Sequence, residues 1–318
     1  MDNKPVLKID FTDFWRGLIK TDNYFYHLLS EKYDVQISDD PDILFFSSYG
    51  SAAKHCTYKC TKVFFAGENV RPPYHVCDFS FSFDYSTHKK NYRLPLYALY
   101  GNVALLTGRQ VDADKVLAAK TKFCCFLVSN PECDIRNHFF QQLSAKKQVD
   151  SGGKTLNNIG HLVSNKVEFI KDYKFVIAFE NATYPGYTTE KIFEPLQYHC
   201  VPIYWGNPLV EKDFNGKSFI NCHCFSSFEK AIDHILAVDN DDALYKQYLQ
   251  QPPFENDEVN EYVKKENVVR RLEEVVAFSQ KRQSFYNQNI RPWYCRLLHR
   301  SHLYTVRAKR VLKRRFAD

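Results

Sequence analysis

Short apolar runs, polar turns and one-faced helical segments follow one another along most of the chain. Val6–Phe11 reads as a first strand. Thr21 or Asp22 can cap a helix through Tyr24–Tyr33, where Tyr24 with Leu28 and Phe25 with Leu29 fall at i, i+4. Further strands are predicted at Asp34–Ile37, Ile43–Phe46 and Val63–Ala66. Asp78–Asp84 (DFSFSFD) alternates apolar and polar positions with the two-residue period of a strand. Short apolar strands alternating with helices predict a mostly parallel sheet.

The pattern loosens around Leu94–Asp112, which places an inter-domain linker between about residues 100 and 118. It restarts with a strand at Phe123–Val128, a helix at Asp134–Ala145 and a buried strand at Lys174–Phe179. A helix from about Thr188 to His199, strands at Cys200–Tyr204 and Ser218–Asn221, and a helix at Ser227–Ala237 follow. A long amphipathic helix is predicted over Glu266–Phe285. The chain thus reads as two successive α/β domains, 1–110 and 118–290, with a tail at 296–318. Open parallel sheets bind ligands at the carboxyl ends of their strands, so a cleft between the two domains is the expected site.

Composition narrows this reading only a little. Of 318 residues, 44% are hydrophobic and 25% charged, which suits a globular protein and excludes a disordered one. No run of 18 apolar residues occurs, and the opening MDNKPVLKIDFTD has no signal-peptide pattern. Ten cysteines are scattered, several inside apolar runs, and a chain of this length needs no disulfide framework; a reducing compartment is expected. The net charge of +6 sits in the tail, where eight Lys/Arg meet one acid between Arg296 and Asp318. The body is close to neutral.

The segment richest in chemistry runs FENATYPGYTTEKIFEPLQYHCVPIYWG, from Phe179 to Gly206. A buried strand ends at Phe179-Glu180-Asn181, a Gly/Pro-containing loop follows, and a helix starts near Thr188. Free N–H groups and the helix dipole make such an end an anion site. A lysine in that first turn opposes the dipole, so Lys191 makes sense beside a polyanion such as a diphosphate, with Glu190 accepting hydrogen bonds from ribose hydroxyls. On pattern alone the plainer reading, two solvated first-turn residues, has the advantage.

These motifs resemble the signature of the α-1,3-fucosyltransferases: FEN, a short loop, Y-x-TEK and a VP-x-x-x-G strand. Phe65-Ala-Gly-Glu-Asn69 with Phe83-Asp84 is similar to that family's GEN…FD pattern, and Ser129-Asn-Pro131 with Ile135-Arg-Asn137 to the SNP…IRN segment of bacterial members. The resemblance covers residues from about 6 to 290. It implies an α/β fold of two Rossmann-like domains facing a central cleft (glycosyltransferase-B type), the first holding the acceptor and the second GDP-fucose. It implies inverting transfer of L-fucose, α-1,3 linkage favoured, to N-acetylglucosamine or glucose in an oligosaccharide such as N-acetyllactosamine. Glu68 matches the general base, and Arg136, Asn181, Tyr187, Glu190 and Lys191 match donor-binding positions. No cofactor is implied; a divalent metal would stimulate at most. Trp15 resembles an aromatic of the acceptor region, with a core anchor as an equal reading. A core tyrosine is the alternative for Tyr187.

Other signals carry less weight. Asp239-Asn-Asp241 has the form of a D-x-D metal motif but lies between two predicted helices, where acids cap and turn. Cys222-His223-Cys224 reads as an alternating strand. His55 with Cys56 and Cys60 forms a metal corner lacking a matching second pair. The tail reads as an amphipathic basic helix for an anionic membrane surface, as a nucleic-acid binder or as a solvated tail; the membrane is preferred, with no nucleic-acid partner. The expected location is cytoplasmic, peripheral at the membrane.

Overall fold

The computed structural model describes residues 4–50, 53–281 and 293–298. The chain divides into two compact units, one made of residues 1–94 with 262 onward and the other of residues 95–261.

The first unit is built on strands β1 (Val6–Thr12), β2 (Asp34–Ile37), β3 (Ile43–Phe46), β4 (Thr61–Phe65), β5 (Phe79–Ser82) and β6 (Asn91–Arg93). Among the described residues they form one sheet in the order β2-β1-β3-β4-β5-β6, every pair parallel. Parallel strands need crossovers that cover the faces, and Ile9, Ile43, Val63 and Phe81 are accordingly fully buried. The helix Tyr24–Ser30 packs Phe25, Leu28 and Leu29 into this core, with the Phe25 ring stacked 4.9 Å from that of Phe45. Its cap is Asn23, whose side chain accepts from Tyr26 N at 3.1 Å; Thr21 and Asp22, the expected caps, lie two residues and one residue too early. Residues 78–84 hold the expected strand, but both its faces are buried, so its serines lie inside: Ser80 and Ser82 donate to Asn91 Oδ1 at 3.0 and 2.7 Å.

The helix Lys265–Gln280 also belongs to the first unit, although the sequence pattern grouped it with the second domain. Phe278 meets Phe79 edge-on at 5.2 Å, and Arg271 donates to the carbonyl oxygens of Lys89 and Lys90 at 3.0 and 3.1 Å. An amphipathic stripe specifies that a helix face is buried and not which sheet buries it. The predicted extension to Phe285 falls on residues outside those described, as do residues 299–318 of the basic tail; 293–298 are helical. No helix among the described residues is long and apolar enough to cross a membrane.

The second unit carries β7 (Lys122–Phe126), β8 (Val149–Ser151), β9 (Tyr173–Phe179), β10 (Val201–Trp205) and β11 (Ile220–Asn221). They form a second parallel sheet, β11-β10-β9-β7-β8. Phe139 and Phe140 of the helix Asp134–Lys146 pack on it, Phe139 at 4.5 Å from Phe179. Residues 100–118 are structured and lie within this unit: the turn Val103–Leu106 leads to the helix Ala113–Ala119, capped by Asp112. That segment looked like a linker because its helices are short and weakly apolar. The second compact unit begins at Pro95.

Asp239 and Asp241 do what acids at a helix junction do. Asp239 is buried in ion pairs with Lys147 and with Lys174, the latter at 3.3 Å, and Asp241 accepts from Leu244 N at 3.0 Å as the cap of the next helix. Cys222–Cys224 is a 3-10 turn, not a strand, because Asn221 caps it through His223 N at 3.1 Å.

Candidate active site

All strands of the second unit run the same way, so β9 and β10 end together: Phe179 is paired with Trp205. The chain past β9 therefore enters its loop at the carboxyl edge of the sheet. Glu180 N donates to Trp205 O at 2.8 Å, which places the Glu180 side chain under that edge, fully buried.

This carboxylate organises the site. Its Oε1 accepts from Thr189 N at 2.7 Å, and its Oε2 accepts from Thr189 Oγ1 at 2.8 Å and Lys191 Nζ at 3.1 Å. Thr189 is the cap of the helix Glu190–Gln197. Glu180 thus supplies the anion that a helix start favours and answers the sequence-level puzzle of a lysine in that first turn. Burial pushes the Glu180 carboxyl above its ordinary range, with the Lys191 charge opposing. Burial alone would lower Lys191, but the Glu180 and Glu190 carboxylates raise its pKa to about 12. Glu190 lies 3.6 Å from Lys191 Nζ; burial would raise its carboxyl, and Lys191 with other contacts holds it below the usual range.

Glycine is required next door. Gly206 has φ +155°, and a Cβ on it would stand 2.4 Å from Glu180 Cγ. Asn207 closes the loop, accepting from Gly186 N at 2.7 Å and donating to Thr188 Oγ1 at 2.9 Å. Tyr187, between those two loop residues, is buried, in keeping with a packing role for its ring.

Arg136 comes from the helix after β7. It donates to Asn181 Oδ1 at 2.8 Å and to Asn130 O at 2.5 Å, and its side chain is fully buried with Nε lacking a partner. Burial lowers its pKa while Cys133, Glu180 and Tyr187 oppose. The structure therefore brings together Arg136 with Asn181, and Glu190 with Lys191, all within one unit. Glu180, Thr189, Asn207 and Gly206 complete the set. Sequence reasoning quoted Glu180 within FEN but gave it no role; its one signal was a charged residue at the end of an otherwise apolar strand.

Glu68 lies in the first unit. It follows β4 through Ala66 and Gly67, at the carboxyl end of that strand, and is half-buried. Tyr49 Oη donates to Gly67 O at 3.2 Å, and the Tyr49 ring meets Trp15 edge-on at 5.7 Å. Trp15 is half-buried and also packs against Phe14 at 5.6 Å. Asp84 forms an ion pair with Arg71, which lies over the Phe83 ring at 4.6 Å and donates to Asn69 Oδ1 at 2.8 Å. Asn69 of the GEN motif and Phe83-Asp84 of the FD motif thus meet at Arg71. Elsewhere, a cavity of about 280 Å³ opens beside Cys200 and Val201, at the amino end of β10, and contains none of these residues.

Comparison with known proteins identifies the class. Residues 9–100 match the alpha-(1,3)-fucosyltransferase FucT N-terminal domain, and residues 117–288 match the C-terminal domain of glycosyltransferase family 10 (fucosyltransferase). The chain belongs to the family 10 fucosyltransferases. It is 33% identical over 294 residues to alpha-(1,3)-fucosyltransferase FucT of Helicobacter pylori, covering 78% of this chain and 60% of that protein. It thus spans about three fifths of that relative's length. A putative fucosyltransferase of Acanthamoeba polyphaga mimivirus is 34% identical over 149 residues, 43% of this chain and 25% of its own. A crystal structure of an α1,3-fucosyltransferase superposes with a TM-score of 0.76 at 29% identity, covering 90% of this chain and 94% of that one. One with GDP-fucose gives 0.72 at 26% identity, covering 92% and 94%. The two parallel α/β units are those of the glycosyltransferase-B type.

Proposed function

We propose that this chain transfers L-fucose from GDP-fucose, with inversion and in α-1,3 linkage, to an N-acetylglucosamine or glucose hydroxyl of an oligosaccharide acceptor. The carrying observation is the charged cluster at the carboxyl edge of the second sheet: Arg136 on Asn181, and Lys191 held between Glu180 and Glu190. The likeness to a solved α1,3-fucosyltransferase with GDP-fucose supports the donor.

In this reading Glu68 takes the proton of the acceptor hydroxyl as its oxygen forms a bond to the fucose anomeric carbon. The bond from that carbon to the diphosphate oxygen breaks on the opposite face, and GDP leaves with added negative charge. Lys191 and Arg136 stabilise that charge, without a divalent metal being essential. The buried, unpaired Arg136 Nε supports this role, because a donor without an acceptor costs about 1–3 kcal/mol that a ligand oxygen recovers. Glu190 takes the ribose hydroxyls, Asn181 and Tyr187 shape the donor site, and Trp15 offers an aromatic face to the acceptor. The basic tail carries the enzyme to an anionic membrane surface on the cytoplasmic side.

Thermal unfolding with GDP-fucose, GDP-mannose and UDP-galactose tests the donor. GDP-fucose should raise the midpoint most, and the uridine sugar should not raise it. Stabilisation by UDP-galactose alone would overturn the reading.

A further inference from the structure

A second cluster lies in the first unit, at the end of β1. Asp13 there has left-handed backbone, φ 56°, and Ala53, which starts the turn Lys54–Thr57, has φ 47°. Left-handed conformations of non-glycine residues cost about 1–3 kcal/mol each and persist where the surroundings enforce them. Gly50 leaves the room required: a Cβ there would stand 1.9 Å from Asp13 Oδ1.

The strained pair serves a histidine. The Asp13 carboxylate accepts from Lys54 N at 3.2 Å, His55 N at 3.0 Å and His55 Nδ1 at 2.7 Å. An acceptor-only carboxylate sets the ring proton on Nδ1. Nε2 is then the lone-pair nitrogen, and it lies 3.4 Å from Cys56 Sγ. Phe46 stacks on the ring at 4.1 Å. Cys56 is joined to Cys295 in a disulfide, and Cys60 is a free, buried thiol. His55, Cys56 and Cys295 are all buried, and their donor atoms lie within 4.8 Å of one another.

A disulfide needs neither an imidazole nor a carboxylate to orient one. The other eight cysteines are free thiols, seven of them buried, so the chain does not otherwise commit its cysteines to bridges. A histidine whose second nitrogen is held by a carboxylate is the usual arrangement behind a metal ligand, and two thiolates with one imidazole suit zinc.

We propose that His55 Nε2 and the thiolates of Cys56 and Cys295 form a zinc site oriented by Asp13, of which the disulfide is the oxidised, metal-free form. A dithiol converts one form to the other. It gives two electrons and two protons, closes to its own disulfide and leaves two thiols on the protein. Zinc then binds and releases both thiol protons. Three protein ligands leave the fourth tetrahedral position to another donor. Either form ties the helical residues 293–298 to the turn at 54–57, across 239 residues of sequence.

The test is metal content of the full chain, independent of transferase activity. Protein reduced by dithiol, given zinc and freed of excess should retain a single zinc ion per chain. The same protein oxidised beforehand should retain none. Cobalt in place of zinc should show a thiolate charge-transfer band that Cys295→Ser abolishes. Asp13→Asn should weaken zinc binding about 10–100-fold. Equal zinc in the reduced and oxidised wild-type protein, or none in either, overturns the proposal without needing any variant to fold. Zinc retained undiminished by a folded Cys56→Ser/Cys295→Ser protein overturns it as well.

Discussion

Lys191 Nζ sits 3.1 Å from Oε2 of Glu180, a carboxylate buried at the end of β9. The two charges come from opposite ends of the loop 180–191 and close it into a ring. Lys191 is thus a structural counter-ion in this structure as well as a candidate phosphate ligand. Its side chain is 21% exposed, which leaves one face open to a ligand.

Glu180→Gln keeps the shape but removes the charge, and its amide nitrogen replaces one of the two oxygens that accept from Thr189 and Lys191. The expected loss is about 1–3 kcal/mol, below the figure for a fully buried pair because water reaches Lys191. Urea unfolding measures it. A variant as stable as the wild type would show that the pair does not hold the loop.

The same pair sets an alkaline limit. Lys191 has a folded pKa raised from 10.5 to about 12, so its contribution is complete below pH 10.5 and disappears as pH rises through about 12. The stability difference between wild type and Lys191→Met should shrink by about 2 kcal/mol as pH rises from 10.5 through about 12. A difference that stays constant to the top of the window would contradict the assignment.

Gly206→Ala should drive the Glu180 side chain out of place. Overpacking of this kind costs about 1–3 kcal/mol, and the alanine also needs the unfavourable φ. Calorimetry should show a lower midpoint, and GDP titration a weaker complex. A variant with unchanged GDP affinity would disconnect Glu180 from the donor site.

Much of this was readable from the residues. Parallel strands such as Ile43–Phe46 and Val201–Trp205 appear as apolar runs because both their faces are covered, and the TEK helix start is visible in its capping threonine. Other features depend on distant partners. β6 is Asn-Tyr-Arg and β8 is Val-Asp-Ser, too short and polar to show a period. The helix Lys265–Gln280 shows its apolar stripe but not the sheet it joins. Cys56 carries no mark in the sequence that pairs it with Cys295. Glu180 was visible as a letter in a motif, and only its contacts with Thr189 and Lys191 give it a function.

Arg136→Lys keeps a positive charge but cannot serve Asn181 and Asn130 together with one ammonium group in the same geometry. The transferase reading expects a loss in kcat/KM of about 1.5–4 kcal/mol for this change and for Lys191→Ala. Steady-state kinetics in EDTA checks both the size of the effect and the metal independence. Wild-type activity abolished by EDTA and restored by manganese would oppose the role given to these cations.

The most direct measurement is transfer itself. Wild-type protein and Glu68→Gln are incubated with GDP-fucose and N-acetyllactosamine, the product linkage is read by NMR, and GDP-fucose binding is measured in parallel. The account predicts an α-1,3-fucosylated product from the wild type. It predicts a drop in rate of about 10²–10⁴ in Glu68→Gln with donor binding preserved. Transfer at the wild-type rate by Glu68→Gln, or a β-linked product, would contradict it.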